Sequence, residues 1–124
     1  GEMSKLLKVT LLVHIGLAVL CGLPLLGMPG RFLGLTGWAP VDPLLSRVLG
    51  AALLGFGWLD LRVLRLNSRP TAQPLIEAGI LFNGLAAAGL AWNMLGAGWP
   101  WYVWTLLGVF IALTVLWVVC YLKK

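Results

Sequence analysis

Apolar residues gather in four long runs, separated by Pro, Gly and basic residues, and this pattern predicts four helices. Each run is predominantly apolar over about 20 residues, which is the length that crosses the hydrocarbon core of a bilayer. The expected fold is therefore an all-α integral membrane four-helix bundle forming a single domain. The predicted spans are about 6–26, 43–64, 74–95 and 101–122.

The connections between the runs are marked by Pro and Gly. Residues 27–43, GMPGRFLGLTGWAPVDP, combine turn formers with apolar side chains, so we expect a Pro/Gly-rich interfacial loop between helices 1 and 2 with one short helical turn. A plain tether is the alternative. Pro74 suits the first turn of the third helix. Gly1 and Glu2 precede Met3 and are expected to be an expression scar.

Composition supports the membrane assignment. The chain has 124 residues, of which 60% are apolar and only 10% charged, with a mean hydropathy of +0.97. Soluble domains carry about 25% charged residues. The net charge of +5 does not indicate a nucleic-acid partner, because the basic residues flank the apolar runs. The expected partner is the lipid bilayer.

Basic residues also predict the orientation. If both termini are cytoplasmic, seven of the nine Lys and Arg residues lie on that side, and only Arg31 and Arg47 on the other. Cytoplasmic segments are enriched in these residues, so the prediction is N-in/C-in. Aromatic residues then collect at the outer interface, as in other membrane proteins: Trp38, Trp99, Trp101, Tyr102 and Trp104.

The second run, RVLGAALLGFGWLDLRVLR from Arg47 to Arg65, is the predicted centre of the bundle. Glycine inside a helix costs roughly 1 kcal/mol relative to alanine, so its glycines indicate close contact with a neighbouring helix. Ala51 and Gly55 form one small-xxx-small pair, while Gly50 and Gly57 lie on an adjoining stripe. We expect a neighbouring helix to pack against the face that carries Gly55.

Metal, disulfide and catalytic chemistry find little support. The single histidine excludes a multi-histidine metal cage within one chain. Cys21 and Cys120 are predicted to lie in opposite leaflets, beyond disulfide reach. No cofactor and no catalytic residue are predicted, and an enzymatic role is disfavoured.

Three polar side chains are predicted to reach the membrane midplane. His14, Asn83 and Thr114 each lie about 14 Å from the end of their run, in a hydrocarbon core about 30 Å thick. They can act as structural hydrogen-bonding groups, or as a site for a ligand or a proton. The predicted ligand-binding set adds two glycines as a gap and one residue on the His14 face: His14, Asn83, Thr114, Gly55, Gly57 and Thr10.

A charged cluster is predicted at the cytoplasmic ends of the second and third spans. The carboxylates of Asp60 and Glu77 can pair with Arg62 and Arg65 or face a water-filled vestibule. Arg47, near the outer end, can extend to the interface or offer a charge to an anionic ligand.

The pattern resembles the small four-helix bacterial membrane families that are broadly DoxX-like. The matching features are the Pro/Gly loop with LGL after the first span, then RVLGAALLGFG, then a Gly/Ala-rich third span. The matching positions are Arg47, Gly50 and Gly57. The resemblance implies a compact bundle in a bacterial inner membrane and carries over no activity.

Three functions remain open from the sequence. The first is binding or carrying a lipophilic or small polar molecule in a cavity within the bundle. The second is a non-catalytic subunit that packs through Gly/Ala faces against itself or a membrane partner protein. The third is a lipid- or quinone-linked enzyme, which lacks a nucleophile–base pair or metal set.

Overall fold

The computed structural model describes residues 2–34, 42–96 and 98–123, and these residues form helices and turns without a strand. Four of the helices are long and apolar enough to cross a membrane. The predicted all-α fold with four such helices is confirmed, whereas their orientation in the bilayer stays a prediction. In chain order the elements are α1 (Lys5–Gly27), α2 (Pro29–Gly34), α3 (Pro43–Leu66), α4 (Arg69–Asn93) and α5 (Trp101–Leu122).

Side-chain caps and prolines define where α3 and α4 begin. The carboxylate of Asp42 accepts hydrogen bonds from Leu44 N at 3.0 Å and Leu45 N at 3.3 Å, satisfying backbone donors that have no partner inside the helix. Ser68 caps α4, and the proline in the first turn of this helix is Pro70. Pro74 therefore lies inside α4 rather than in its first turn, which corrects the start predicted from the sequence.

The connection between the first two spans contains one short helix. This helix, α2, corresponds to the predicted helical turn. Residues 35–41, with Trp38, lie outside the described residues. The interfacial position of this loop stays a prediction.

The chain divides into two compact units. One comprises Lys8–Asn67, and the other comprises Gly1–Leu7 together with Ser68–Lys124. We call them the α1–α3 unit and the α4–α5 unit. The prediction of a single domain stays a prediction.

Glycine brings α1 and α3 into backbone contact within the α1–α3 unit. A Cβ atom at Gly50 would lie 2.6 Å from Leu26 N and 2.7 Å from the Gly22 carbonyl oxygen, distances too short for any side chain. A Cβ at Gly57 would lie 3.2 Å from the Ala18 Cβ. Rising numbers on α3 meet falling numbers on α1, so the two helices are antiparallel.

The predicted contact at Gly55 is wrong. Gly55 and Ala51 are exposed, and a Cβ at Gly55 would have no described neighbour within 4 Å. The contact is made by the adjoining stripe of Gly50 and Gly57, which are seven residues apart. Seven residues are close to two helical turns, so these two glycines share the face that meets α1.

An aromatic side chain fills the corresponding space in the α4–α5 unit. A Cβ at Gly79 would lie 2.7 Å from Cε2 of Trp117, whose side chain is fully buried. The rings of Phe82 and Phe110 meet edge to face with centroids 6.2 Å apart, an arrangement favoured by the aromatic quadrupole.

One arginine in each unit binds the C-terminal carbonyls of a neighbouring helix. Arg47 Nη1 donates to the Leu26 carbonyl oxygen at 2.7 Å. Arg69 Nη2 donates to the carbonyl oxygens of Cys120 at 3.3 Å and Tyr121 at 3.4 Å. Carbonyls in the last turn of a helix generally lack an intrahelical partner, and the C-terminal end of the helix dipole favours a cation.

Candidate functional site

The strongest candidate site is an ionisable pair inside the α1–α3 unit. His14 Nδ1 on α1 forms a hydrogen bond with Asp60 Oδ2 on α3. The Asp60 side chain is fully buried, and the His14 side chain keeps 15% exposure. Both residues lie within helices that are long and apolar enough to cross a membrane, so the pair is an ionisable group in a setting that disfavours charge.

The glycine contacts fix the register that joins the two residues. On α3, Asp60 follows Gly57 by one helical turn, and on α1, His14 precedes Ala18 by one turn. Because Gly57 contacts Ala18 across the antiparallel pair, the next turn in each helix brings Asp60 and His14 together. The backbone contact at Gly50 and Gly22 fixes the same register from its other side.

The pair is neutral overall when it holds one proton. With the proton on Nδ1, the imidazolium donates to the carboxylate, and with the proton on Asp60, the carboxyl donates to Nδ1. Loss of this proton leaves a single buried negative charge. An unpaired aspartate within a membrane helix is costly, up to about 3 kcal/mol at the helix centre on insertion scales. The surroundings therefore favour a pair that holds a proton or another positive charge.

The second carboxyl oxygen of Asp60 adds an unused binding position. Oδ1 is buried and has no hydrogen-bond partner among the described residues. Leaving a buried polar atom unsatisfied costs about 1–3 kcal/mol, and such an exception in a buried position often marks a functional group. Asp60 thus offers one oxygen to His14 and one to a further donor or cation.

The other residues of the predicted midplane site form bonds within their own helices. The Asn83 amide donates to the Gly79 carbonyl oxygen at 2.8 Å, while its Oδ1 is buried without a described partner. The Thr114 hydroxyl donates to the Phe110 carbonyl oxygen at 2.7 Å. Both residues belong to the α4–α5 unit, and their meeting with His14 stays a prediction.

The face of α1 that carries His14 is the buried face. Thr10 and Ala18 are buried, and His14 and Cys21 are half-buried. The two glycines of α3 that were predicted to form a gap lie in different environments. Gly57 contacts Ala18, whereas Gly55 is exposed on another face. A gap formed by these glycines beside His14 stays a prediction.

The predicted charged cluster separates into different environments. Asp60 pairs with His14 rather than with an arginine, because the contact of Gly57 with Ala18 brings these two faces together. Arg62 and Arg65 are exposed. Glu77 is exposed and accepts a hydrogen bond from Gln73 Nε2 at 2.9 Å.

Arg47 caps α1 through the Leu26 carbonyl, a role that the sequence prediction did not include. Its guanidinium is thereby engaged at the helix end. The prediction had considered extension to the interface or an anionic ligand. The signal that could have suggested the cap is the position of an arginine at the start of α3, opposite the end of an antiparallel α1.

The part of the chain that the structure describes contains no cluster of side chains that could ligate a metal ion. No group of three or more His, Cys, Asp or Glu side chains comes together there. Cys21 and Cys120 form no disulfide with a described residue.

Both members of the pair are visible in the sequence, but their pairing is not. His14 is the single histidine, and Asp60 is one of four acidic residues. Their predicted depths assign them to separate sets, because His14 is expected at the midplane and Asp60 about one turn inside the end of its helix. The chain was compared with protein-family models, with curated proteins and with solved structures, and none of them matches it.

Proposed function

We propose that this protein binds a small molecule within its membrane-spanning helices and uses the His14–Asp60 pair as the polar anchor. The observation that carries the proposal is a fully buried carboxylate, bonded to an imidazole, inside two apolar helices. Ionisable groups within membrane spans are costly and commonly mark ligand or proton sites.

A purely structural role explains this pair less well. The α1–α3 contact already rests on the glycine backbone contact at Gly50. Replacing a buried ion pair by apolar residues is often neutral or stabilising, so such a pair is weak evidence of a stability role. The unsatisfied Asp60 Oδ1 leaves room for one further donor or cation at the pair.

The placement in the cell forms part of the same proposal. The bias of Lys and Arg supports a four-span N-in/C-in arrangement, and the DoxX-like sequence pattern supports a bacterial inner membrane. Cysteine labelling at Ser68 tests the orientation, because this model puts Ser68 on the cytoplasmic side. Labelling by an impermeant reagent from outside would contradict it.

Native mass spectrometry of the detergent-solubilised protein tests the binding function. The wild type is expected to retain a small molecule that is lost in Asp60→Asn while helix content and thermal midpoint persist. Glu77→Gln is the matched control, because it makes the same carboxylate-to-amide change at an exposed position. Equal retention by wild type and Asp60→Asn, or no retained molecule, would contradict the proposal.

A packing subunit is the second candidate function. The observation that favours it is the exposed small-residue surface of α3, formed by Ala51, Ala52 and Gly55. Small residues allow close approach of a further membrane helix. The same spectra report the oligomeric state, and a defined oligomer disrupted by Gly55→Leu would favour this candidate.

A further inference from the structure

We infer that the His14–Asp60 pair takes a hydrophobic monovalent cation and releases one proton in exchange. This inference rests on the proposed function and names the chemical class of the ligand. Its basis is the arrangement of the carboxylate: one oxygen bonds to His14 Nδ1, and the other is buried and has no described partner.

In a low-dielectric setting, charge balance requires that one proton is released for each monovalent cation bound. The protonated pair has no net charge, and the deprotonated pair carries one negative charge. A lone buried charge is disfavoured unless it is paired. A monovalent cation at Asp60 Oδ1 restores neutrality, so cation binding and loss of the proton occur together. The proton passes to solvent, and no covalent bond is made or broken apart from that to the proton.

The side chains around Asp60 favour a cation over an anion. One helical turn away on α3 lie Phe56, Gly57, Val63 and Leu64, of which none is titratable. The basic side chains of this unit are placed elsewhere: Arg62 and Arg65 are exposed, and Arg47 binds the Leu26 carbonyl.

The α1 side of the pair is equally free of competing charge. One turn from His14 lie Thr10, Leu11, Leu17 and Ala18, again without a titratable group. The nearest charged residue along α1 is Lys8, which is half-buried and more than one turn away. On α2, Arg31 is exposed. The proton exchanged on cation binding is therefore the one shared in the His14–Asp60 hydrogen bond.

The apolar surroundings favour an organic cation over a metal ion. Hard metal ions take several oxygen ligands, and the described residues bring together no group of three or more His, Cys, Asp or Glu side chains. A hydrophobic cation needs one counter-charge and apolar contacts, which the neighbours Leu11, Phe56 and Val63 can supply. The His14 side chain keeps 15% exposure while Asp60 is fully buried, so the pair borders the surface of its unit through the imidazole.

Tetraphenylphosphonium is the probe for this inference. Saturable binding to the detergent-solubilised protein is measured by equilibrium dialysis across a range of pH, with protein-free micelles as the blank. Affinity is expected to rise about tenfold per pH unit where the pair still holds its proton. Proton release in weakly buffered solution is expected to equal one proton per cation bound.

Two variants assign the exchange to Asp60. Asp60→Asn is expected to lose both binding and proton release, whereas Glu77→Gln keeps both. If Asp60→Asn does not fold, the wild-type proton count decides: one proton per cation supports the inference, and none overturns it. Binding that does not depend on pH, or no saturable binding, also overturns it.

The outcome separates this inference from the proposed function. A neutral molecule that is retained by wild type and lost in Asp60→Asn, combined with absence of tetraphenylphosphonium binding, would leave the binding function standing and reject the cation exchange. Absence of any retained molecule together with pH-independent cation binding would reject both.

Discussion

The α1–α3 unit and the α4–α5 unit pack their helices through similar residues, a glycine at a close contact and an arginine at a helix end. They differ in the polar group that each one buries. Each unit has a glycine at its closest contact: Gly50 against the α1 backbone and Gly79 against Trp117. Each has an arginine that binds the last carbonyls of a neighbouring helix. The α1–α3 unit buries an ionisable pair, whereas the α4–α5 unit buries the neutral amide of Asn83.

This difference separates packing from chemistry. The α4–α5 unit shows that a helix pair of this kind can pack with a buried amide whose donor bonds within its own helix. A buried carboxylate is more costly than an amide, so Asp60 is not needed for packing of this type. We therefore expect substitutions of the contact glycines and of the capping arginines to destabilise both units in the same way. Substitutions of the buried polar groups are expected to destabilise the two units to different extents.

The largest expected difference in unfolding free energy is between substitutions at the buried polar groups of the two units. His14→Leu removes the partner of a fully buried carboxylate, and breaking a buried pair in this way costs about 3–5 kcal/mol. Asn83→Leu removes one intrahelical bond and one buried acceptor without a partner, so its expected cost is below about 1 kcal/mol. Denaturant unfolding in detergent measures both. Equal costs would remove the distinction between the units.

The next effect concerns the glycine stripe on α3. Gly50→Leu places a side chain where even a Cβ would lie 2.6 Å from a backbone nitrogen, and we expect a loss of about 3 kcal/mol because backbone cannot move aside as a side chain can. Gly55→Leu is the matched control on the same helix. Thermal midpoints compare the two, and an equal loss in Gly55→Leu would contradict the assigned contact face.

A smaller effect is expected at the glycine of the other unit. Gly79→Ala forces a methyl group against the buried indole of Trp117, with an expected cost of about 2 kcal/mol. Gly84→Ala is the control, because its Cβ would lie 3.8 Å from Thr114 Cγ2 in ordinary contact, and alanine favours the helix.

Combining Gly79→Ala with Trp117→Leu sharpens this test. If the indole causes the strain, the double variant should lose less stability than the sum of the two single changes, since the smaller side chain leaves room for the methyl group. Strictly additive costs would show that Gly79 and Trp117 do not interact.

The smallest effects are expected at the two capping arginines. Arg47→Met and Arg69→Met each remove a cation from the carbonyl end of a helix, at an expected cost of about 1 kcal/mol. Arg62→Met is the control, because Arg62 is exposed on α3. Unfolding free energies at fixed ionic strength provide the measurement, and an equal loss in Arg62→Met would argue against capping.

The sequence by itself determined the number, type and approximate bounds of the long helices. Uninterrupted apolar runs leave few alternatives, because a helix satisfies its own backbone in a bilayer. It also identified His14 and Asp60 as chemically unusual, since ionisable residues are rare in such runs. The predicted start of α4 was wrong because both Pro70 and Pro74 suit the first turn of a helix. The cap at Ser68 shows that the helix begins before Pro70.

Only the tertiary structure decided which stripe of glycines makes contact and which side chain pairs with His14. A shift of one residue along a helix moves a side chain about 1.5 Å and rotates it about 100°, so face and depth depend on register. That register is fixed by the contacts of Gly50 with Gly22 and of Gly57 with Ala18. Such contacts join residues far apart in the chain, and the local pattern of either helix does not specify them.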